Sequence, residues 1–277
     1  MTTIGTVGAI HRYPVKSMQG ESLTEVAIGP DGMVDDRTWA MRDIESGKLV
    51  SAKRPRPWAV AMECTARGSG DDVEIELPSG ERFGVGDGGL SVALEALFGR
   101  AVALEPATRR QQGTYDSVWP EIEGVSLAGH VELATNLTGE GAGFVDLGAL
   151  HLLTTSSLAS LQAAAEELVI DVRRFRPSIV LDTPGHDGFP ENDEWDGATL
   201  RIGDGDDAVE ARLDVPCPRC IMTTLAQPGL PHQPAVLRTL ARINRRTSEL
   251  GSSACLGSYA SVAHPGVVRA GDVVSVV

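Results

Sequence analysis

"LDVPCPRCIMTT" occupies Leu213–Thr224 and carries two of the four cysteines in the chain, Cys217 and Cys220, spaced C-x-x-C around Pro218 and Arg219. A zinc reading needs four ligands, and Cys64 and Cys255 stand apart from this pair with no two histidines close together. A redox dithiol wants its C-x-x-C at a helix start, whereas "IMTT" is β-branched and strand-like. A third reading is a turn that offers one thiolate to a soft or high-valent metal, with Arg219 beside Cys220 favouring the ionised sulfur. A fourth is two small buried hydrophobes. The residues of this stretch leave all four open, so the surroundings must decide.

Working outward, the 277-residue chain is long enough for one large domain or two small ones. Aromatics are 4% of the sequence, so its cores rest on Val, Leu, Ala and Ile, and its 31 glycines and 16 prolines signal many turns. The formal net charge is −14, which argues against nucleic acid and anionic membrane as general partners. The opening "MTTIGTVGAIHRY" has no basic-then-apolar leader and no apolar run spans a membrane, so a cytoplasmic location with reduced cysteines is expected.

"TTIGTVGAIHR" reads as a strand, and turn signals at Gly29–Gly32 and Glu45–Gly47 suggest a meander of five or six strands over 1–87. Gly88–Arg100 has helical spacing, "AVALEP" reads as a strand, and 107–145 reads as a long loop. "ALHLL" is a strand that runs into "TTSS", an N-cap for a helix whose stripe is Leu158, Leu161, Ala164, Ala165 and Leu168. "PSIVLDT" and "ATLRIGD" are strands, Ala235–Arg246 is a helix, and the tail gives two strands around His264-Pro-Gly.

Three basic segments run against the acidic whole: Arg12 with Lys16, Lys53-Arg54-Pro-Arg56, and Arg173-Arg174-Phe-Arg176, with Arg37 alone after two aspartates. Each is consistent with solvated surface, but together they suit a small anion gathered from several loops. "TTSS" adds a helix start able to cradle phosphate, beyond plain capping. There is no G-x-S-x-G, H-E-x-x-H, Walker loop or dinucleotide loop. The acidic stretch Asp187–Asp196 reads as a solvated loop and His151 as a satisfied core residue.

"YPVKSMQG" (Tyr13–Gly20), "DDRTWAM" (Asp35–Met41) and "SAKRPRP" (Ser51–Pro57) resemble the β-barrel domain that precedes MOSC domains. "LLTTSSLASL", "RRFRPSIVL", "CPRCIMTT" and "GSYASVAHPGVVRAGDVV" resemble successive MOSC signatures, and the weakest stretch is 107–143. The resemblance implies a β-rich α+β fold: a small N-terminal β-barrel-like domain over 1–105, packed on a MOSC β-barrel domain with a few helices over 106–277. It implies a molybdenum cofactor, molybdenum on a phosphate-bearing molybdopterin, with Cys220 as the protein's metal ligand and catalytic cysteine. It places cofactor binding at Lys16, Arg37, Thr154, Ser157, Arg176 and Arg219. Ser178, a further cofactor-binding position, stands where the nearest relatives carry asparagine and offers a shorter hydroxyl; Gln227-Pro228 stands where they carry Asp-Pro; and Asp146 stands where they carry an aspartate near the pocket mouth, with an implied cofactor or substrate role. The implied activity is reduction of small N-hydroxylated substrates with electrons from a separate ferredoxin- or flavin-type donor. A carrier of cofactor or sulfur is the alternative, and it would want an exposed thiol pair.

Overall fold

The structure is a computed structural model that describes residues 1–108, 113–136, 143–248 and 251–277. Seven strands close a barrel: β1 (Thr2–Arg12), β2 (Leu150–Thr154), β3 (Ile179–Asp182), β4 (Thr199–Ile202), β5 (Val209–Pro218), β6 (Gly251–His264) and β7 (Val273–Val276). Around the barrel the order is β1-β7-β4-β5-β6-β2-β3 and back to β1. Only the β2–β3 pair among these is parallel, and its crossover carries helix α1 (Thr155–Ala163). Alternate residues fill the interior: Leu150 and Leu152, Ile179 and Leu181, Leu200 and Ile202, and Val209, Ala211 and Leu213 share one core. That period of two is the signature of strands with one buried face. Leu153 points the other way, into a cluster with Leu161, Val236, Leu237 and Leu240, where α1 and α2 (Ala235–Ile243) pack on the outside.

Between β1 and β2 the chain builds a second core from Val15, Met18, Met41, Val50, Trp58, Ile75 and others. Leu90, Leu94 and Phe98 of the helix Leu90–Phe98 join it on one stripe, each contributing about 2 kcal/mol by burial. Gly99 ends that helix at φ 64°, a left-handed cap that glycine adopts without strain. The chain is thus β-rich α+β, with four α-helices among the described residues.

Several local expectations change. The meander over 1–87 is realised only in pieces, such as Thr65–Arg67, Glu74–Glu76 and Arg82–Gly84; its first strand, β1, pairs at its end with the neighbouring Glu21–Leu23 but along most of its length with β3 and β7. The long-range pairing dominates because β1 carries Ile4, Val7 and Ile10 into the barrel core. Within the loop expected at 107–145, Thr114–Trp119 pairs with Gly129–Ala134 as a hairpin, while 109–112 and 137–142 lie outside the described residues. "IMTT" is a 3₁₀ turn, Ile221–Thr224, because the Thr223 and Thr224 hydroxyls donate back to the Cys220 and Ile221 carbonyls. Helix α1 stops at Ala163, before the expected end of its stripe, and α2 ends at Ile243, where Arg245–Ser248 begins a strand against β6.

Candidate functional site

Strand β5 ends in Pro216-Cys217-Pro218, and prolines cannot donate to a ladder. The pairing with β6 shifts register at three places, the last between Pro216 and Pro218. Arg219 N–H closes the ladder on the Ala254 carbonyl at 2.8 Å, and the chain then turns at Cys220. Cys220 is buried, packed among Ala52, Met62, Trp119 and Met222, and it lines a partly open cavity. Both sulfurs of the C-x-x-C are therefore inside the protein.

Each basic segment sends part of itself into that cavity and part out. Lys16, Lys53, Arg174 and Arg176 line it together with Arg37 and Arg219, whereas Arg12, Arg54 and Arg173 pair outside with Glu21, Asp116 and Asp171. Six cations against one lining carboxylate, Asp146, make a positive focus in a chain of net −14. Asp146 bridges Lys16 and Lys53, the latter at 2.9 Å, and these two lysines hold its carboxyl far below the usual range although burial works the other way. Burial, with Lys53 and Arg37 nearby, lowers Lys16 to about 8 despite Asp146. The ring of Tyr13 meets two guanidiniums, Arg176 at 4.1 Å and Arg37 at 5.1 Å from its centroid. Burial and then Arg37 lower Arg176 to about 10, so it stays charged at neutral pH.

The backbone is strained at the same place. Ser17, Arg37 and Arg176 have φ of 68°, 51° and 54°, and all three line the cavity. Arg174, fully buried, donates to the carbonyls of Val169, Thr223, Leu225 and Pro231 and to Gln233 Oε1. It thereby clasps the loop that follows Cys220.

Arg219, expected beside Cys220, donates from Nη1 to Cys217 Sγ at 2.8 Å and from Nη2 to the Phe175 carbonyl at 2.6 Å. Its Nε is buried and has no partner in the protein. Burial opposes ionisation of Cys217, but Arg219, then His151, and hydrogen bonds from His151 and Tyr259 bring it down to about 6. Cys217 is thus the thiolate that arginine stabilises. Adjacency in sequence could not show which sulfur the fork would reach.

The family model comparison matches the MOSC domain over residues 142–275 and the MOSC N-terminal beta barrel domain over residues 4–91. The chain is 35% identical to mitochondrial amidoxime reducing component 2 of Bos taurus, over 97% of this chain and 82% of that one. Component 2 of Rattus norvegicus and component 1 of Homo sapiens are 29% and 26% identical over the same shares. The chain belongs to the MOSC-domain family. Its N-terminal MOSC β-barrel domain accompanies the closed barrel. Among the described residues no helix is long and apolar enough to cross a membrane.

The MOSC signatures distribute unequally around the cavity. Lys16, Arg37, Asp146, Arg176, Arg219 and Cys220 line it. Thr154 and Ser157 do not. Thr154 Oγ1 accepts the Ser157 N–H as helix cap and donates to Glu191 Oε2 at 2.7 Å, while Ser157 Oγ donates to Glu191 Oε1 at 2.6 Å. Gly257 N–H, at φ 76° where a Cβ would meet His151, supplies Glu191 with a further donor. The acidic stretch expected to be solvated thus contributes a buried carboxyl, which burial pushes up, and buries Asn192 and Trp195 beside it. Ser178 Oγ accepts from the His151 N–H at 3.2 Å and borders a small recess shared with Arg37, Asp146 and Tyr259. Gln227 pairs with Gln19 at 3.0 Å, tying the loop after Cys220 to the segment after Lys16. Lys53, expected only as part of a basic segment, lines the cavity, Tyr259 lies within a quoted signature without having been singled out for the site, and His151, expected only in the core, also faces the cavity.

Proposed function

We propose that this protein holds a molybdenum cofactor through Cys220 and reduces small N-hydroxylated substrates with electrons from a separate ferredoxin- or flavin-type protein. The observation that carries the reading is a cysteine at the wall of a cavity with six cations and one carboxylate. The residues fit the group: Arg219 Nε is a buried donor without a partner, as an absent anionic ligand would leave it. Lys16, Arg37, Arg176 and Arg219 would hold the pterin phosphate, and the Cys220 thiolate would ligate the metal. When bound, the cofactor supplies the two-electron cleavage of the N–O bond, with oxygen leaving as water after uptake of two protons.

The chain's own part is charge, orientation and protons. Lys16, lowered to about 8, is suited to give and retake a proton at Nζ near neutral pH. Tyr259 is pushed well up by burial and the neighbouring Cys217, so its hydroxyl stays protonated against the site. Arg174 and the β5–β6 ladder fix the turn that presents Cys220. The names of the relatives, amidoxime reducing components, support the same chemistry. A carrier would want accessible thiols, and the burial of Cys217 and Cys220 favours the reductase.

The test is molybdenum and pterin content together with turnover of benzamidoxime by an artificial reductant. Cys220→Ser is expected to lose metal and turnover, and Cys217→Ser to keep its metal. Metal retained in Cys220→Ser and lost in Cys217→Ser would overturn the assignment.

A further inference from the structure

Beside the cavity lies a second recess, which shares Lys53, Asp146, Pro218 and Tyr259 with it. Its outer wall is the hairpin Thr114–Trp119/Gly129–Ala134, the segment that resembles the family least. Register explains the wall. Tyr115 faces Leu133, Ser117 faces Val131 and Trp119 faces Gly129, so one side of the hairpin carries Tyr115, Trp119, Val131 and Leu133. The other side carries exposed Thr114, His130 and Glu132, with half-buried Val118 and buried Asp116, which pairs with Lys48 and Arg54. Leu127, from the connecting loop, completes the apolar lining. Trp119 also shares a packed cluster with Cys220, and Leu127 and Val131 lean on that cluster. The recess is apolar along its hairpin side, and its charged groups, Lys53 and Asp146, belong to the shared side. Such a slot suits a ligand with a flat apolar body and one polar end.

We propose that this hairpin recess is the specificity subsite, taking the aromatic or heteroaromatic body of the substrate while its N–OH end reaches toward Cys220. The inference rests on the reductase reading, and names the substrate class within it: N-hydroxylates attached to a planar ring, in preference to small polar ones. Trp119, Leu127 and Leu133 are the residues that set this preference.

The experiment compares loaded wild type with Leu127→Ala/Leu133→Ala, both half-buried positions, on benzamidoxime and on hydroxyguanidine, which has the N–OH group and no ring. The expected result is a rise of about ten-fold in KM for benzamidoxime, with kcat/KM for hydroxyguanidine within two-fold and molybdenum content unchanged. Equal losses on both substrates, or no change on either, would overturn the subsite. Calorimetric binding of benzamidine, which is not reducible, separates this inference from the reading beneath it. If wild type reduces neither N-hydroxylate but binds benzamidine, and the variant does not, the reductase reading fails and the ring subsite stands. If wild type fails to bind benzamidine, the subsite fails.

Discussion

Replacing Arg174 by Met keeps most of the side-chain volume and removes the guanidinium. Arg174 makes five hydrogen bonds, four to backbone carbonyls, and has no exposed surface. At ~1.5 kcal/mol for each bond from a charged donor the gross loss is about 7 kcal/mol. Relief of guanidinium burial and entry of water return roughly half, leaving about 3–4 kcal/mol. An unfolding entropy of ~2.1 cal/mol/K per residue over 277 residues converts this to a fall of about 6 °C in Tm. Because Thr223 and Leu225 lose their donor, the damage concentrates in the turn after Cys220. Thermal unfolding followed by hydrogen exchange should show faster exchange over 221–227 and less molybdenum per folded chain. Arg173→Ala is the control: its side chain is 43% exposed, paired with Asp171 and donating to the Pro228 carbonyl at 3.0 Å, so a shift of about 1–2 °C and no change in exchange over 221–225 are expected. A Tm for Arg174→Met within 1 °C of wild type, with unchanged exchange in the turn, would refute the argument that this arginine holds the cysteine loop.

Lys16 loses its charge as pH rises through about 8, so sulfate binding to the cofactor-free protein should weaken between pH 7 and 9, and be weaker and flat in Lys16→Met; calorimetry at each pH reads this. Cys217 should give a thiolate absorbance step near pH 6, absent in Cys217→Ser and moved upward in Arg219→Gln. Its folded value lies below the unfolded 9.0, so the stability it contributes is full above pH 9 and is lost as pH falls through about 6; Cys217→Ser should lack that component in Tm against pH. Thr154→Val removes a helix cap and a donor to buried Glu191, about 2–4 kcal/mol together, with molybdenum per folded chain unchanged. Cofactor loss at normal Tm in that variant would instead make Thr154 a direct contact.

Several barrel strands were legible because their alternation is local: Leu200 and Ile202, or Leu150 and Leu152, show their burial to anyone counting by two, whereas β5, Val209–Pro218, was not read as a strand because its prolines and the C-x-x-C drew a turn reading. Helix Leu90–Phe98 and the capped start of α1 were legible for the same reason. The partners of β1 were not, since nothing within 2–12 names β3 or β7 across more than 170 residues. In the hairpin, Tyr115, Ser117 and Trp119 do alternate, but the long polar connection to Gly129 masks the pairing. Of the site, the basic segments were visible as exceptions in an acidic chain, yet which member of each turns inward depends on turns: Lys16 and Arg176 flank or occupy left-handed positions. Glu191 was read as solvated because composition sees charge and not the three donors that surround it.

Left-handed φ at non-glycine residues costs on the order of 1 kcal/mol each, and three of the five such residues among the described ones line this cavity. Their side chains, a serine and two arginines, gain nothing locally from that conformation. Burial of the cations adds to the cost, with like charge behind it: burial and then Arg37 depress Arg176, and burial and then Lys53 depress Lys16 although Asp146 opposes. Stability alone would select against both features. They persist because other contacts over-determine the loops. Tyr13 donates to the Pro177 carbonyl, Asp36 accepts the Tyr13 N–H, and Ser17 Oγ accepts the Ala52 N–H. These contacts hold the cations of the cavity together, and the cysteine is anchored to the same frame through Arg174 and Arg219. The positive focus and the thiol are therefore one site, assembled from loops that the barrel brings together, and no single window of the sequence contains enough of it to be read alone.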